Sequence, residues 1–406
     1  MTKQSRLSFV IRVWSFGFSC EITMNLLALA MLPIGLLISL ATAWRLIRVA
    51  REHGWLDHAG AERHKLHRGA VPNVGGVAIM WGIGAPLLMI LLATWWLSPQ
   101  QIAAISPSLG EHWPGLENTA WLGWNLLLSL IVLHAVGLAD DRINLGPWVK
   151  LLAQVLVSLW LVLACELQVL SFLGGWWGSA GNNLSIALSV LWLVTVINAM
   201  NFLDNMDGLS AGVAAIIAAT MLGAALAGGQ WFVAAIAALV LGATLGFAAF
   251  NLPPAKLFMG DCGSLVLGLA LGFISIRLTY VNMDAPPEVV SGGLLQYLPL
   301  TAPLWWLSTP IYDAVVVSVI RMTHGASPMR GDHNHLSHRL VRMRLSKPAA
   351  VMTIHGLTAL TCLGGALIGS STPSITLAGV TITGATLLTL VVIDLAYGTV
   401  QMSAES

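Results

Sequence analysis

Charge is what this chain has least of. Asp, Glu, Lys and Arg make up 9% of its 406 residues, 57% are hydrophobic, and mean hydropathy is +0.80. An ordinary soluble domain is about a quarter charged, so the shortage excludes a water-soluble fold and leaves a membrane-embedded one. The net charge of +1 offers no basic field to draw in a nucleic-acid backbone. Cysteine is sparse too. Cys20, Cys165, Cys262 and Cys362 are scattered, with no CxxC pair, so no disulfide framework is implied and small apolar fillers remain. Internal repeats, low-complexity tracts and a soluble domain are also missing.

What the chain does have is long apolar runs. They cover 24–46, 74–98, 119–139, 148–170, 184–203, 209–228, 230–250, 263–282, 295–321, 350–370 and 374–397. A span needs about 20 apolar residues, so the expected fold is all-α: a polytopic bundle of about 10–11 transmembrane helices. The expected division is an N-terminal extension over 1–23, one transmembrane domain over 24–400 and a short tail over 401–406. The stretch from Leu7 to Cys20 is too short to span and Arg12 interrupts it. It lacks a signal-peptide pattern, which leaves two readings: a start at Met24, or a segment lying on the membrane surface. Pairs such as Gly242-x-x-x-Gly246 and Gly268-x-x-x-Gly272 suit close helix packing in lipid and carry no function by themselves.

Lys and Arg are absent from alternate loops, near 99–118, 171–183, 283–294 and 371–373. The other loops carry Arg45, Arg48, Arg51, Arg63, Lys65 and Arg68, then Arg142 and Lys150, then Lys256, then Arg330, Arg339, Arg342, Arg344 and Lys347. The positive-inside rule makes these cytoplasmic. Eleven spans then put the N-terminus outside and the C-terminus in the cytoplasm, although Lys3, Arg6 and Arg12 oppose an outside N-terminus.

On the same cytoplasmic side lie four polar motifs. Asp140-Asp141 ends the third run. Neighbours on a helix point about 100° apart, so one carboxylate can work while the other orients it; the plain alternative is a solvated end or an Arg142 pair. Asn198, Asn201, Asp204 and Asp207 recur every three residues before Gly208, which keeps them on one face. Interhelical glue is the alternative for Asn198. Phe258-Met-Gly-Asp261-Cys-Gly-Ser264 reads either as a glycine turn or as an anion site at a helix start. In that site Asp261 would need a divalent cation between itself and a phosphate. Last comes His333-x-His335-x-x-His338-Arg339. A zinc site is its rival reading, but the nearby arginines favour binding of oxyanions. Lys65, His67 and Arg68 form a second basic patch. Asp313 lies inside the ninth run with its role open, and Asp394, near the last helix end, is expected in solvent. Ionisable residues cost free energy in a membrane and mark function by default.

Taken together and in this order, the motifs resemble those of the polyprenyl-phosphate N-acetylhexosamine-1-phosphate transferases over about Met24 to Tyr397. The resemblance implies transfer of a sugar-1-phosphate from a UDP-N-acetylhexosamine, UDP-GlcNAc first, to undecaprenyl phosphate in the bilayer, with release of UMP. It places a multi-pass enzyme in the inner (plasma) membrane with its active site facing the cytoplasm, and leaves room for a homodimer. It implies that Asp140 deprotonates or orients the lipid phosphate, with Asp141 its partner near the metal. Lys150 lies near the phosphates, while Asp204 and Asp207 serve the nucleotide and catalytic site. Phe258 packs on uracil, and His335 and His338 lie near diphosphate and sugar. Lys65, His67, Asn198, Asn201 and Arg339 complete the substrate contacts. The implied cofactor is Mg²⁺, with Mn²⁺ as the alternative, held by Asp261 with Asp141 or Asp207. Two departures stand out: Ser337 replaces a usual histidine, and Asn205 a usual glycine. The pattern is closer to the branch that starts O-antigen, teichoic-acid or exopolysaccharide lipids than to the MurNAc-pentapeptide branch.

Direct attack by the lipid phosphate and passage through an aspartyl-phosphate both remain open; direct attack is favoured because the lipid phosphate is already ionised. A cation-coupled transporter is the rival from another class. Transporters carry their carboxylates near the midplane, often with repeat symmetry, and here they gather at one face.

Overall fold

The computed structural model describes residues 3–53, 71–281, 301–325, 327, 334–368 and 372–405. Among them are fourteen helices and no β-strand. In order these are α1 (Lys3–His53), α2 (Gly75–Trp96), α3 (Pro99–Ile105), α4 (Pro107–Ile143), α5 (Pro147–Ala164), α6 (Leu173–Leu203) and α7 (Leu209–Ala227). There follow α8 (Trp231–Asn251), α9 (Asp261–Val281), α10 (Ala302–Trp306), α11 (Ser308–Thr323), α12 (Leu336–Arg342), α13 (Lys347–Ile368) and α14 (Pro373–Glu405). Ten are long and apolar enough to cross a membrane, in keeping with the all-α polytopic bundle expected from the apolar runs.

The differences from the expected spans have local causes. The run at 295–321 is not one helix: Leu307 separates α10 from α11, and 295–300 lie outside the described residues. α4 starts at Pro107 rather than near 119, because the polar first part is pinned by Trp113, whose Nε1–H donates to the Leu97 carbonyl at 3.2 Å. α6 starts at Leu173 rather than 184, with a break at Trp177–Gly178 where Gly178 takes φ +57°. α1 runs through the boundary between 23 and 24 without interruption.

At the centre stands α9, against α6, α4, α2, α7 and α8. Of its apolar window 89% is buried, against 22% for α1 and 28% for α14. Lipid is as apolar as the side chains, so packing rather than water exclusion holds such helices together. Packing here is backbone to backbone. A methyl on Gly137 of α4 would sit 2.5 Å from the Cys262 backbone, and one on Gly76 of α2 would overlap the Gly263 nitrogen. The small-xxx-small pairs work as expected: Gly268 and Gly272 face α6 at Ile197 and Leu193, and Gly242 and Gly246 face α1 at Leu32 and Leu36. Ser39 adds a buried hydrogen bond to the Ala243 carbonyl at 2.7 Å, a contact type that averages about 0.6 kcal/mol in membranes. The tight seams bring the start of α9 to the end of α4.

Candidate active site

The site is built around the first turn of α9. A helix start leaves backbone N–H groups without partners, and here α4 supplies the acceptor. The Asp261 N–H donates to Asp141 Oδ1 at 2.9 Å and the Cys262 N–H to Asp141 Oδ2 at 3.1 Å. The positive end of the helix dipole offsets that carboxylate's charge. Asn73 approaches the same carboxylate at 3.4 Å. The segment before α2 is stitched alongside, with the Phe258 N–H on the Pro72 carbonyl and the Gly75 and Gly76 N–H groups on the Phe258 and Met259 carbonyls at 2.8–2.9 Å.

Asp140 diverges from its neighbour, as helix geometry requires. Its Oδ1 accepts the Leu145 N–H at 2.9 Å and its Oδ2 meets Lys150 Nζ at 2.9 Å. Lys150 reaches onward to Asp261 Oδ2 at 2.6 Å, so one ammonium spans two carboxylates. The other oxygen of Asp261 accepts from Asn201 Nδ2 at 2.9 Å, and that amide also donates to Ser264 Oγ at 2.9 Å. Residues from α4, α5, α6 and α9, separate in sequence, thus converge on Asp261, which remains partly exposed.

Asp204 follows the last turn of α6. Burial pushes its carboxyl up to about 7, the charges of Asp261, Asp141 and Asp207 add to the rise, and a Gly260 N–H works against it. Asp207 accepts the Ala255 N–H at 3.0 Å. Asn251 takes the Gly208 N–H at 3.0 Å and donates to the Leu257 carbonyl at 2.9 Å, which ties the 204–208 turn to the 251–258 turn. Asn198 turns to α5 instead, donating to Gln154 Oε1 at 2.5 Å and to the Val194 carbonyl. Phe258 is half-buried beside the site.

The histidine segment is held differently. His335 is buried, its Nδ1 2.8 Å from Asp313 Oδ2, while the Leu336 N–H donates to Asp313 Oδ1 at 2.5 Å. Arg339 is fully buried. It pairs with Asp394 at 2.9 Å and donates to the Asn334 carbonyl at 2.6 Å. Tyr312 donates to the same Asp394 at 2.5 Å. Asp394 is therefore not in solvent as the sequence implied; the α12 arginine reaches it across the bundle. His338 is half-buried, its ring centroid 6.5 Å from that of His335. Ser337 donates to Asn205 Oδ1 at 2.5 Å, so the two departures from the expected motifs touch each other. Lys65, His67, Arg68 and His333 lie outside the described residues.

Sequence reasoning missed Asn73, Asn251, Arg321 and the pairing of Asp394. Arg321 and Asp313, eight positions apart in one apolar run, carried a usable signal, since two charges inside a span seek partners. Nothing local marks Asn73 or Asn251.

No three His, Cys, Asp or Glu side chains among the described residues converge closely enough to hold a metal by themselves. Asp261 and Asp204, with Asp141 and Asp207 near, do form an all-oxygen, electronegative set. That set fits a hard cation of the Mg²⁺ kind, which takes one or two carboxylates and completes its shell with substrate phosphate and water.

A multi-pass membrane bundle with carboxylates, one lysine and a helix start gathered at one end defines the class: a membrane enzyme site for phosphorylated, anionic substrates. The family model for Glycosyl transferase family 4 matches residues 123–279, the stretch carrying Asp140 through Ser264. The chain is 31% identical over 248 residues to the phospho-N-acetylmuramoyl-pentapeptide-transferase of Lactobacillus gasseri, covering 57% of this chain and 69% of that one. The chain belongs to glycosyl transferase family 4. It is also 27% identical over 316 residues to the "Probable undecaprenyl-phosphate N-acetylglucosaminyl 1-phosphate transferase" of Bacillus subtilis, covering 76% of this chain and 75% of the relative. Identity is 28% over 367 residues to the decaprenyl-phosphate N-acetylglucosaminephosphotransferase of Mycolicibacterium smegmatis, covering 84% and 81%.

Proposed function

We propose that this protein transfers GlcNAc-1-phosphate from UDP-GlcNAc to a polyprenyl phosphate, undecaprenyl phosphate, at the cytoplasmic face of the inner membrane, releasing UMP and starting a lipid-linked envelope glycan. The observation that carries the reading is the convergence of Asp140, Asp141, Lys150, Asn201 and Asp261 at the start of α9. The choice of sugar is supported by coverage: the two N-acetylglucosamine-type relatives align with 76% and 84% of the chain, the muramoyl-pentapeptide one with 57%. One transmembrane domain over 24–400 carries the activity.

In this reading the ionised lipid phosphate attacks the phosphorus bonded to the sugar, a P–O bond forms, and the bond to UMP breaks. Two anions must meet, so their charge has to be offset. Mg²⁺, held by Asp261 with Asp204, Asp141 or Asp207, supplies charge neutralisation for the leaving group. Lys150, pinned between Asp140 and Asp261, faces the same phosphates. Asp141 fixes the first turn of α9, so its carboxylate places Asp261. Asp140 holds Lys150 and the turn to α5, and orients rather than takes a proton. Asn201 orients Asp261. Phe258 packs on the uracil, Asp207 and Asn198 position the nucleotide side, and His338 with the basic residues of the two large loops, including Lys65 and His67, meets the diphosphate and sugar.

The test is UMP release by purified protein given undecaprenyl phosphate and UDP-GlcNAc, UDP-GalNAc or UDP-MurNAc-pentapeptide, with Mg²⁺ or EDTA, beside Asp261→Ala. Lipid- and Mg²⁺-dependent UMP from UDP-GlcNAc, lost in the variant, is the expected result. Folded protein that releases no UMP from any donor would overturn the reading.

A further inference from the structure

Behind the histidine segment lies a buried carboxylate that the transfer chemistry does not call for. Asp313 of α11 is 1% exposed. A carboxylate so placed is costly unless both oxygens are matched, and both are. Oδ1 takes the Leu336 N–H, the first of α12, and Oδ2 faces His335 Nδ1. On the far edge of the ring, Arg321 Nη2 stands 3.4 Å from His335 Nε2. A guanidinium only donates and an ionised carboxylate only accepts. One proton placement satisfies both neighbours: hydrogen on Nδ1, lone pair on Nε2. Beyond the ring, the Arg321 guanidinium carbon lies 5.1 Å over the Phe202 ring, and Phe202 meets the His335 ring edge-on at 6.0 Å. Phe202 follows Asn201, the residue that orients Asp261.

We propose that Asp313 is a positioning residue of the transferase: it holds His335 as the neutral Nδ1–H tautomer and, through the Nε2 lone pair, sets Arg321 against Phe202 at the edge of the carboxylate site. The inference rests on the transferase reading for its effect on rate, and on geometry alone for the state of the ring. Asp313→Asn is the decisive change. An amide has a single acceptor oxygen, so it cannot serve both the Leu336 N–H and the His335 Nδ1–H. If its NH₂ faces the ring, the proton is driven to Nε2, directly against Arg321.

The experiment reads ring ¹⁵N shifts of the full-length protein in nanodiscs at neutral pH, with His335 assigned by its loss in His335→Gln, beside steady-state kinetics. The expected spectrum shows protonated Nδ1 and bare Nε2, changed in Asp313→Asn. Losing a hydrogen bond to a charged group costs roughly tenfold or more; that loss is expected in kcat, with the donor KM moving less. His335→Gln with Asp313→Asn should be no slower than His335→Gln alone. A parent ring carrying its proton on Nε2, or losses that multiply in the double variant, overturns the proposal. Should Asp313→Asn not fold, Arg321→Met probes the other end. There Asp313 still faces Nδ1, so Nδ1 is expected to keep its hydrogen, and a ring with a bare Nδ1 and its hydrogen on Nε2 overturns the proposal. If the parent releases no UMP, the ring spectrum still decides the placement of the proton, so the two failures are distinguishable.

Discussion

Two polar clusters lie side by side at one end of this bundle, and they are built on opposite terms. Around Asp261, carboxylates outnumber the ammonium that spans them, the groups are partly exposed, and Asp204 is pushed up to about 7. Around His335 the polar groups pair with one another: Asp313 with the His335 ring and the Leu336 N–H, Arg339 and Tyr312 with Asp394. An excess of one sign in a half-open site is a demand for a counter-charge from outside. A set whose members pair internally fixes shape instead. The contrast separates residues that meet substrate from those that hold the wall behind it.

The hardest way to break this contrast is Asp261→Asn. Asp261 would act through the cation it holds, and losing one such source of charge stabilisation at a developing anion costs about 10²–10³-fold in kcat; a loss of that size is expected in UMP release, with thermal stability little changed. Next comes Asp141→Ala, which removes the cap of α9. A lost cap costs roughly 1 kcal/mol, so this variant should lose both stability and activity, and a melting curve beside the assay separates it from Asp261→Asn. Lys150→Gln should lower kcat yet tighten the half-saturating Mg²⁺ concentration, because a competing cation leaves Asp261; weaker Mg²⁺ dependence would contradict the placement. A smaller effect is expected for Asp394→Asn. It loosens the Arg339 pair and should cost roughly 1–2 kcal/mol in unfolding free energy while activity falls less than in any site variant.

The acidity of Asp204 sharpens the comparison further. Its carboxyl binds a proton more tightly folded than unfolded, so folding takes up protons between about pH 4 and 7 and stability from this group falls as pH rises through that window. In EDTA the protein should therefore melt lower at pH 8 than at pH 5 by more than Asp204→Asn does, and Mg²⁺ should reduce the gap.

Much of this was legible in the chain. Ionisable residues are rare among apolar runs, so Asp140, Asp141, Asp204, Asp207 and Asp261 announced themselves by cost alone, and the lengths of the runs set the bundle. The partners of each carboxylate were not legible. That Asp141 caps α9 depends on Gly137 letting α4 touch Cys262, a contact between positions 125 residues apart. Asp394 reads as solvated because its partner Arg339 is far away in sequence and close only through α12. The break at Leu307 did have a local mark, Ser308-Thr309-Pro310, since proline suits the first turn of a helix and not its interior; the length of the apolar run outweighed it.

The glycine seams have a consequence for anyone reading mutation tables of this enzyme. Gly76 and Gly137 own no side chain, yet a single methyl at either would pry the start of α9 away from its neighbours. In a saturation screen scored by growth, both positions should be as intolerant as Asp261, and a ranking by sensitivity alone would file them with the chemistry. Their scores would part only when surviving protein is counted: pried-apart chains disappear from the membrane, whereas chains that have merely lost a carboxylate stay and do nothing.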